Sequence, residues 1–149
     1  MKVLFLIMFA GAVMGIGQTA AKPKSGVVDA APPAAVRSSP AYAEILLKRT
    51  EVQAALESLL LDYTEDYPKV QELRHTLALV QKESGRLAAV KGPDASRLTL
   101  ALGKLMIKKI ELETDLWLLE INYKADHPDV KRAKRRVEIY DTAIREILG

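Results

Sequence analysis

Asp126, His127 and Asp129 are the residues best suited to chemistry in this chain, and they lie together inside NYKADHPDV at 122–130. An imidazole flanked by carboxylates can ligate a divalent metal or act as a general acid–base pair. A second copy of the phrase argues for a different role. DYTEDYPKV at 62–70 repeats it sixty residues earlier, with Tyr67 where His127 stands, so the histidine is not what the copies share. They share Tyr63/Tyr123, Asp66/Asp126, Pro68/Pro128 and Val70/Val130. Proline fits the first turn of a helix, where its missing N–H has no intrahelical partner. An aspartate just before it can accept from the orphan N–H groups of that turn and favours the positive helix end. The tyrosines close the preceding helix and the valines open the next. The phrase therefore reads as a bend between helices, with His127 as a structural residue, and no metal or other cofactor is expected.

The remaining candidates are weaker. His75 stands alone on a helix, its repeat partner is Arg135, and it is expected on the solvated surface. Neither histidine has a nucleophile motif nearby, and there is no phosphate-cradling glycine loop. No catalytic residue is assigned, and the chain is not expected to be an enzyme. The sharpest charge cluster is KRAKRR at 131–136. Ala133 and Val137 keep an apolar face there, so Lys131, Arg132, Lys134, Arg135 and Arg136 share the other faces. The bland reading is a solvated face opposed by acids such as Glu57, Asp62, Glu65 and Asp66. The functional reading makes these cations, with Trp117, a docking surface for a protein partner, an anionic glycan or a membrane surface. Arg49 and Lys109 interrupt otherwise apolar rows and read as register-setting or snorkelling cations.

The isoelectric point of about 9.1 and net charge of +3 do not indicate nucleic acid. Lys2, Lys22, Lys24 and Arg37 against Asp29 account for the whole excess, and residues 41–149 sum to about zero.

The elements that carry these residues follow from the repeat. An offset of 60 aligns 41–89 with 101–149 without a gap, and the identities run from Ala41/Ala101 to Val70/Val130. Each unit reads as helix, tight bend, helix. Apolar positions 45, 52, 59 and 42, 56, 63 form heptad rows in the first helix. Positions 98, 105, 112, 119 and 102, 116, 123 copy them in the third. Val70, Leu77, Ser84 and Leu73, Val80, Leu87 do so in the second, and Val130, Val137, Ile144 with Ala133, Tyr140, Ile147 in the fourth. Spacing of this kind over three heptads signals helices seated between one another, and no stretch alternates with the period of a strand. The fold expected is all-α: two tandem antiparallel hairpins, 41–91 and 95–149, packed as a coiled coil or four-helix bundle. In KGPDAS at 91–96, Gly92 suits a helix C-cap and Asp94 or Ser96 an N-cap. The first and third helices carry a second stripe, Leu47, Ala54, Leu61 and Ile107, Thr114, Ile121, which is expected to be buried within the chain or in a homo-oligomer.

The N-terminus has one lysine, an apolar run over 3–17 and then small residues, which is the layout of a secretory signal peptide over 1–21. An uncleaved membrane anchor is the alternative. Residues 22–40 hold four of the seven prolines and read as a flexible linker. There is no cysteine, hence no disulfide and no lipid-attachment site. The expected location is the periplasm or the cell exterior.

The string LxxLxxxYxxxHPDVKRxKRRxxxY at 116–140 resembles the periplasmic coiled-coil segment of bacterial polysaccharide co-polymerases, the chain-length determinant family. In those proteins Tyr followed by His-Pro-(Asp)-Val marks the reversal between long helices; 56–80 is a looser copy with Tyr67-Pro68. The match covers the hairpins. That family's two membrane spans and α/β base have no counterpart in these residues, and no catalytic residue carries over. The resemblance implies an exported, non-catalytic coiled-coil scaffold of the cell envelope linked to exopolysaccharide assembly. The alternative is a periplasmic helical chaperone or stress adaptor that holds unfolded clients, although the LTxxQ signature of one such family is missing.

Overall fold

The computed structural model describes residues 32–149; the expected signal segment and residues 22–31 lie outside that range. The described residues are helical, with no strand among them: α1 (Ala34–Arg37), α2 (Pro40–Leu60), α3 (Pro68–Ala88), α4 (Leu100–Asn122) and α5 (Pro128–Leu148), with a 3-10 helix at Gly92–Arg97 between α3 and α4. Helices α2 and α3 form one antiparallel hairpin, and α4 and α5 the other. The hairpins meet because α4 packs on both α2 and α3, so the whole is a helical bundle with α4 touching three neighbours.

Both repeated phrases form bends. Pro68 and Pro128 occupy the first turns of α3 and α5, and Val70 and Val130, two residues on, are fully buried. The capping differs from expectation. Neither Asp66 nor Asp126 caps: Tyr67 and His127 are the N-cap residues, and the His127 Nδ1 accepts from the Asp129 N–H at 3.2 Å. What closes each bend is a ring pair. Tyr63 stacks on Tyr67 with centroids 4.1 Å apart, and Tyr123 on His127 at 4.3 Å. The chain turns back through Tyr67 N–H to Thr64 C=O and His127 N–H to Lys124 C=O, and this brings the rings, four residues apart, face to face. Tyrosine and histidine are thus interchangeable here because each supplies a flat ring.

The connection between hairpins is longer than the expected 92–94. α3 runs through Gly85 and ends at Ala88 with Ala89 in a right-handed conformation, so Gly92 is not a left-handed cap. The N-cap of α4 is Thr99, not Asp94 or Ser96; its Oγ1 accepts from the Leu102 N–H at 3.3 Å. Leu98 is buried and directs this linker inward, and its carbonyl accepts from Ala41 N–H at 3.2 Å.

The segment 32–40 corrects the expected linker. Val36 in α1 is fully buried in the core, and Ser39 caps α2: its Oγ accepts from Tyr42 N–H at 3.3 Å and donates to the Val36 carbonyl at 2.7 Å. The prolines here are compatible with order because Pro40 sits at the start of α2.

The core gathers at the α1 end, where Val36, Ala41 and Ile45 meet Val80, Leu87, Leu98, Leu102, Met106, Ile110 and Ile144. Ala41 and Gly103 lie at a close approach of α2 and α4: a Cβ on Gly103 would fall 3.0 Å from the Ala41 Cα. On α3 the expected row Leu77, Ser84 yields the interior to Thr76 and Glu83, because these two find polar partners on α4. The second stripe divides. Thr114 is buried and Ile107 half-buried because α4 is central, whereas Leu47 (56 % exposed), Ala54, Leu61 (85 %) and Ile121 (59 %) face outward.

Candidate functional site

A column of polar and aromatic contacts joins the hairpins along the α3–α4 seam. At its base, Lys109 of α4 is buried and its Nζ donates to the Glu83 Oε1 of α3 at 2.7 Å. The same ammonium lies 3.2 Å from Asp141 Oδ1 on α5 and 3.5 Å from Glu113 Oε1, one turn along α4. The Arg86 Nη1 reaches both Glu83 Oε2 (3.1 Å) and Asp141 Oδ1 (3.2 Å). At the rim, Lys82 stands 3.6 Å from Glu113 and Arg145 3.2 Å from Asp141. Three helices therefore converge on one buried ammonium. A turn or two nearer the bends, the hydroxyls of Thr76 and Thr114 lie 3.1 Å apart, one donating to the other, and each is also within hydrogen-bond reach of a carbonyl of its own helix. Beyond them His75 stacks on Trp117 with centroids 4.6 Å apart and planes 11° from parallel.

The electrostatics follow from this enclosure. Burial opposes the charge on Lys109, but the carboxylates of Glu83, Glu113 and Asp141 outweigh it and hold its pKa above the usual lysine value. Burial likewise pushes Asp141 up, and Lys109, Arg86 and Arg145 more than reverse this, leaving it below the usual aspartate value. Both groups are charged across the neutral range. The arrangement is a clamp: a polar group at a buried position of one helix demands a matching group at one level of its neighbour, which fixes register. Arg49, the other interrupting cation, does not join it. Its guanidinium lies between α2 and α3 beside Tyr42, Ile45 and Ser84, and its Nε has no hydrogen-bond partner among the described residues.

His75 is half-buried against Trp117 rather than solvated, because turning Thr76 and Glu83 toward α4 carries the preceding residue to the same seam. Burial lowers its pKa below 6.5, and Glu113 opposes the shift weakly. The unfolded chain takes up this proton near pH 6.5 and the folded chain only at lower pH, so stability is highest above 6.5 and falls as pH drops from 6.5 toward the folded value. Urea midpoints are expected to decline between pH 7.5 and 5.5 in the parent chain and to decline less in His75→Phe, which keeps the stack without the proton. Equal declines in the two chains would discount His75 as the cause.

The candidate docking residues are dispersed. Lys131, Arg132, Arg135 and Arg136 are exposed on α5, and Lys134 is half-buried. Lys134 pairs with Glu120 of α4 at 2.9 Å, Arg135 with Glu138 at 3.0 Å, and Arg132 with Asp129. Lys131 and Arg136 have no carboxylate within 4 Å among the described residues. The acids expected opposite this face do not meet it. α5 packs chiefly on α4, and Glu65 is held by Arg74 at 2.5 Å on its own hairpin. One face of the Trp117 indole is taken by His75 of α3. Of the bend residues, Tyr63, Asp66, Tyr123 and Asp126 are exposed and His127 half-buried, so each bend is a surface feature.

The residues that the sequence reading missed are Glu83, Arg86, Glu113 and Asp141. Lys109 was the available signal: a lysine inside an apolar row requires carboxylates at its level on the facing helices.

No family model matches the chain, and neither a curated protein nor a solved structure matches it.

Proposed function

We propose that this chain is a non-catalytic helical scaffold of the cell envelope that works by binding another macromolecule through α2. The observation that carries the reading is the outward stripe Ala43, Leu47, Thr50, Ala54 and Leu61, broken by one charge at Glu57: small and aliphatic residues at heptad spacing on one side of a helix whose other side is already packed. A solvated helix face normally carries charge; a seam of small and aliphatic residues at 3-4 spacing is what a further helix packs against. The buried polar groups support the same reading, since they tie helices together rather than line a cleft. Placement in the envelope comes from the N-terminal sequence alone, and the link to exopolysaccharide assembly from the resemblance at 116–140 alone.

The test is photo-crosslinking in the source cells from probes at Leu47 and Ala54, with a probe at Asp115, exposed on α4, as comparison. Adducts from the α2 positions and none from Asp115 are expected. An absence of α2 adducts would count against the reading. So would turnover of a substrate by the purified chain that one polar replacement abolishes. The chaperone alternative draws on the same exposed leucines and requires the full chain to suppress aggregation of an unfolded client near a one-to-one ratio.

A further inference from the structure

We propose that the binding partner of α2 is α5 of a second copy of this chain, in a head-to-tail contact that can repeat from copy to copy. This deepens the scaffold reading and rests on it.

The first ground is charge. Residues 40–67, α2 and its bend, carry Glu44, Glu51, Glu57, Asp62, Glu65 and Asp66 against Lys48 and Arg49, a net of −4. The first half of α5, 128–137, carries five cations against Asp129, a net of +4. Within one copy these surfaces do not meet, because α5 packs chiefly on α4. Glu51, Glu57 and Asp62 have no cation within 4 Å among the described residues, and Lys131 and Arg136 have no carboxylate. Two surfaces of opposite sign on one chain, each with charges left unpaired, attract each other between copies.

The second ground is placement. Glu111 of α4 faces Lys48 of α2 at 3.9 Å, and Glu120 of α4 holds Lys134 of α5. Nine residues at 100° each separate Glu111 from Glu120 by about half a turn, so α2 and α5 flank α4 on opposite sides. A copy can therefore offer α2 on one flank and α5 on the other. That makes the contact heterologous, the kind that propagates or closes into a ring rather than stopping at two.

The third ground is register. Ala41 lies beside Gly103 and Lys48 near Glu111, so α2 and α4 run level, and their ends at Leu60 and Asn122 bring the two bends to the same pole. A copy displaced sideways without turning over sets its α2 antiparallel to the α5 of its neighbour, bends level. Position by position, Glu57 then faces Lys131, Ala54 faces Arg135, Thr50 faces Ile139 and Leu47 faces Thr142. The row on α2 steps 3-4-3 and the outward row of α5 steps 4-4-3, so the pairs stay level to within one residue, and Ile139, 54 % exposed, falls between the aliphatic Leu47 and Ala54. The acids of the first bend reach the cations just after the second.

Light scattering on the full chain against concentration and salt tests this. The mass is expected to rise past twice the 16.4 kDa chain at low salt and to fall as salt is added. Glu57→Lys/Asp62→Lys and Lys131→Glu/Arg135→Glu, all at exposed positions, are each expected to weaken association at least about tenfold, since like charges then face each other. Mixing the two variants restores assembly, because each now carries the flank that the other lacks. A monomer at all concentrations would overturn the proposal. A mass that halts at two, or one indifferent to the α5 reversal, would also overturn it, as would a mixture that fails to recover. Crosslinks from Leu47 to a foreign protein, with a monomeric purified chain, would leave the scaffold reading standing and remove only this one.

Discussion

Replacing Lys109 by alanine is expected to cost about 3–5 kcal/mol of folding stability, the range for breaking a buried ion pair by removing one member. Glu83 has no exposed surface and its Oε1 takes the Lys109 Nζ at 2.7 Å, so the change leaves its carboxylate in a low-dielectric interior with only the edge-on Arg86 contact. Asp141 and Glu113 lose the same cation. Against a total that is commonly 5–15 kcal/mol for a domain, this is a large share. Urea unfolding followed by circular dichroism measures it, as a lowered midpoint with a similar slope. The contrast that isolates the cause is Lys109→Met combined with Glu83→Leu. Removing both charges is expected to recover most of the loss, because an apolar pair of similar volume needs no desolvation. If the double variant were as unstable as Lys109→Ala, packing rather than the uncompensated charge would be the source. The network also sets an acid limit. Asp141 titrates below its unfolded value, so its contribution is present above about pH 4 and is lost as pH falls through the lower folded pKa.

Two glycines in helices are expected to respond to alanine with opposite signs. Gly85 of α3 has nothing within 4 Å of an added Cβ, and alanine there is expected to stabilise by up to about 1 kcal/mol through helix propensity. Gly103 of α4 gains the same propensity but meets the Glu44 Cβ at 2.9 Å and the Ala41 Cα at 3.0 Å. The Ala41 Cα is backbone and cannot swing aside, so α2 and α4 must separate, and overpacking of this kind costs about 1–3 kcal/mol. The net for Gly103→Ala is destabilising, and Gly103→Val, with a larger clash and a poorer helix former, is expected to lose about 2–3 kcal/mol more than Gly103→Ala. Thermal midpoints of the three variants against the parent check this. A stabilised Gly103→Ala would show that the hairpins are not held together at this point.

These two results bear on the same feature of the fold, the way that one hairpin is fixed to the other. The 60-residue repeat concerns each hairpin separately. Pro68 and Pro128, with Val70 and Val130 behind them, mark both bends because proline placement and heptad spacing are local properties that any amphipathic helix expresses. The pairing of rings across each bend was present in the sequence as Tyr-x-x-x-Tyr and Tyr-x-x-x-His, but spacing alone does not tell a stacked pair from two independent surface residues. The order seen over 32–40 was hidden for the opposite reason: a segment rich in proline and alanine has the composition of a tether, and only the cavity that Val36 fills gives it a place.

The sequence by itself determined that this is a helical protein, that it is built from two hairpins, and that their bends are structural, because these follow from periodicity and backbone sterics within some twenty residues. Tertiary structure alone decided which repeat is central. The two stripes are equivalent as patterns, yet Thr114 is buried and Ile107 half-buried while Leu47 and Leu61 stand in solvent. α4 packs on all three other long helices, whereas α2 packs on two of them and on the short α1, and that difference arises from Gly103 admitting close contact and from Lys109 finding carboxylates on two other helices. Such matches depend on residues far apart in the chain meeting at one level, which no local spacing encodes.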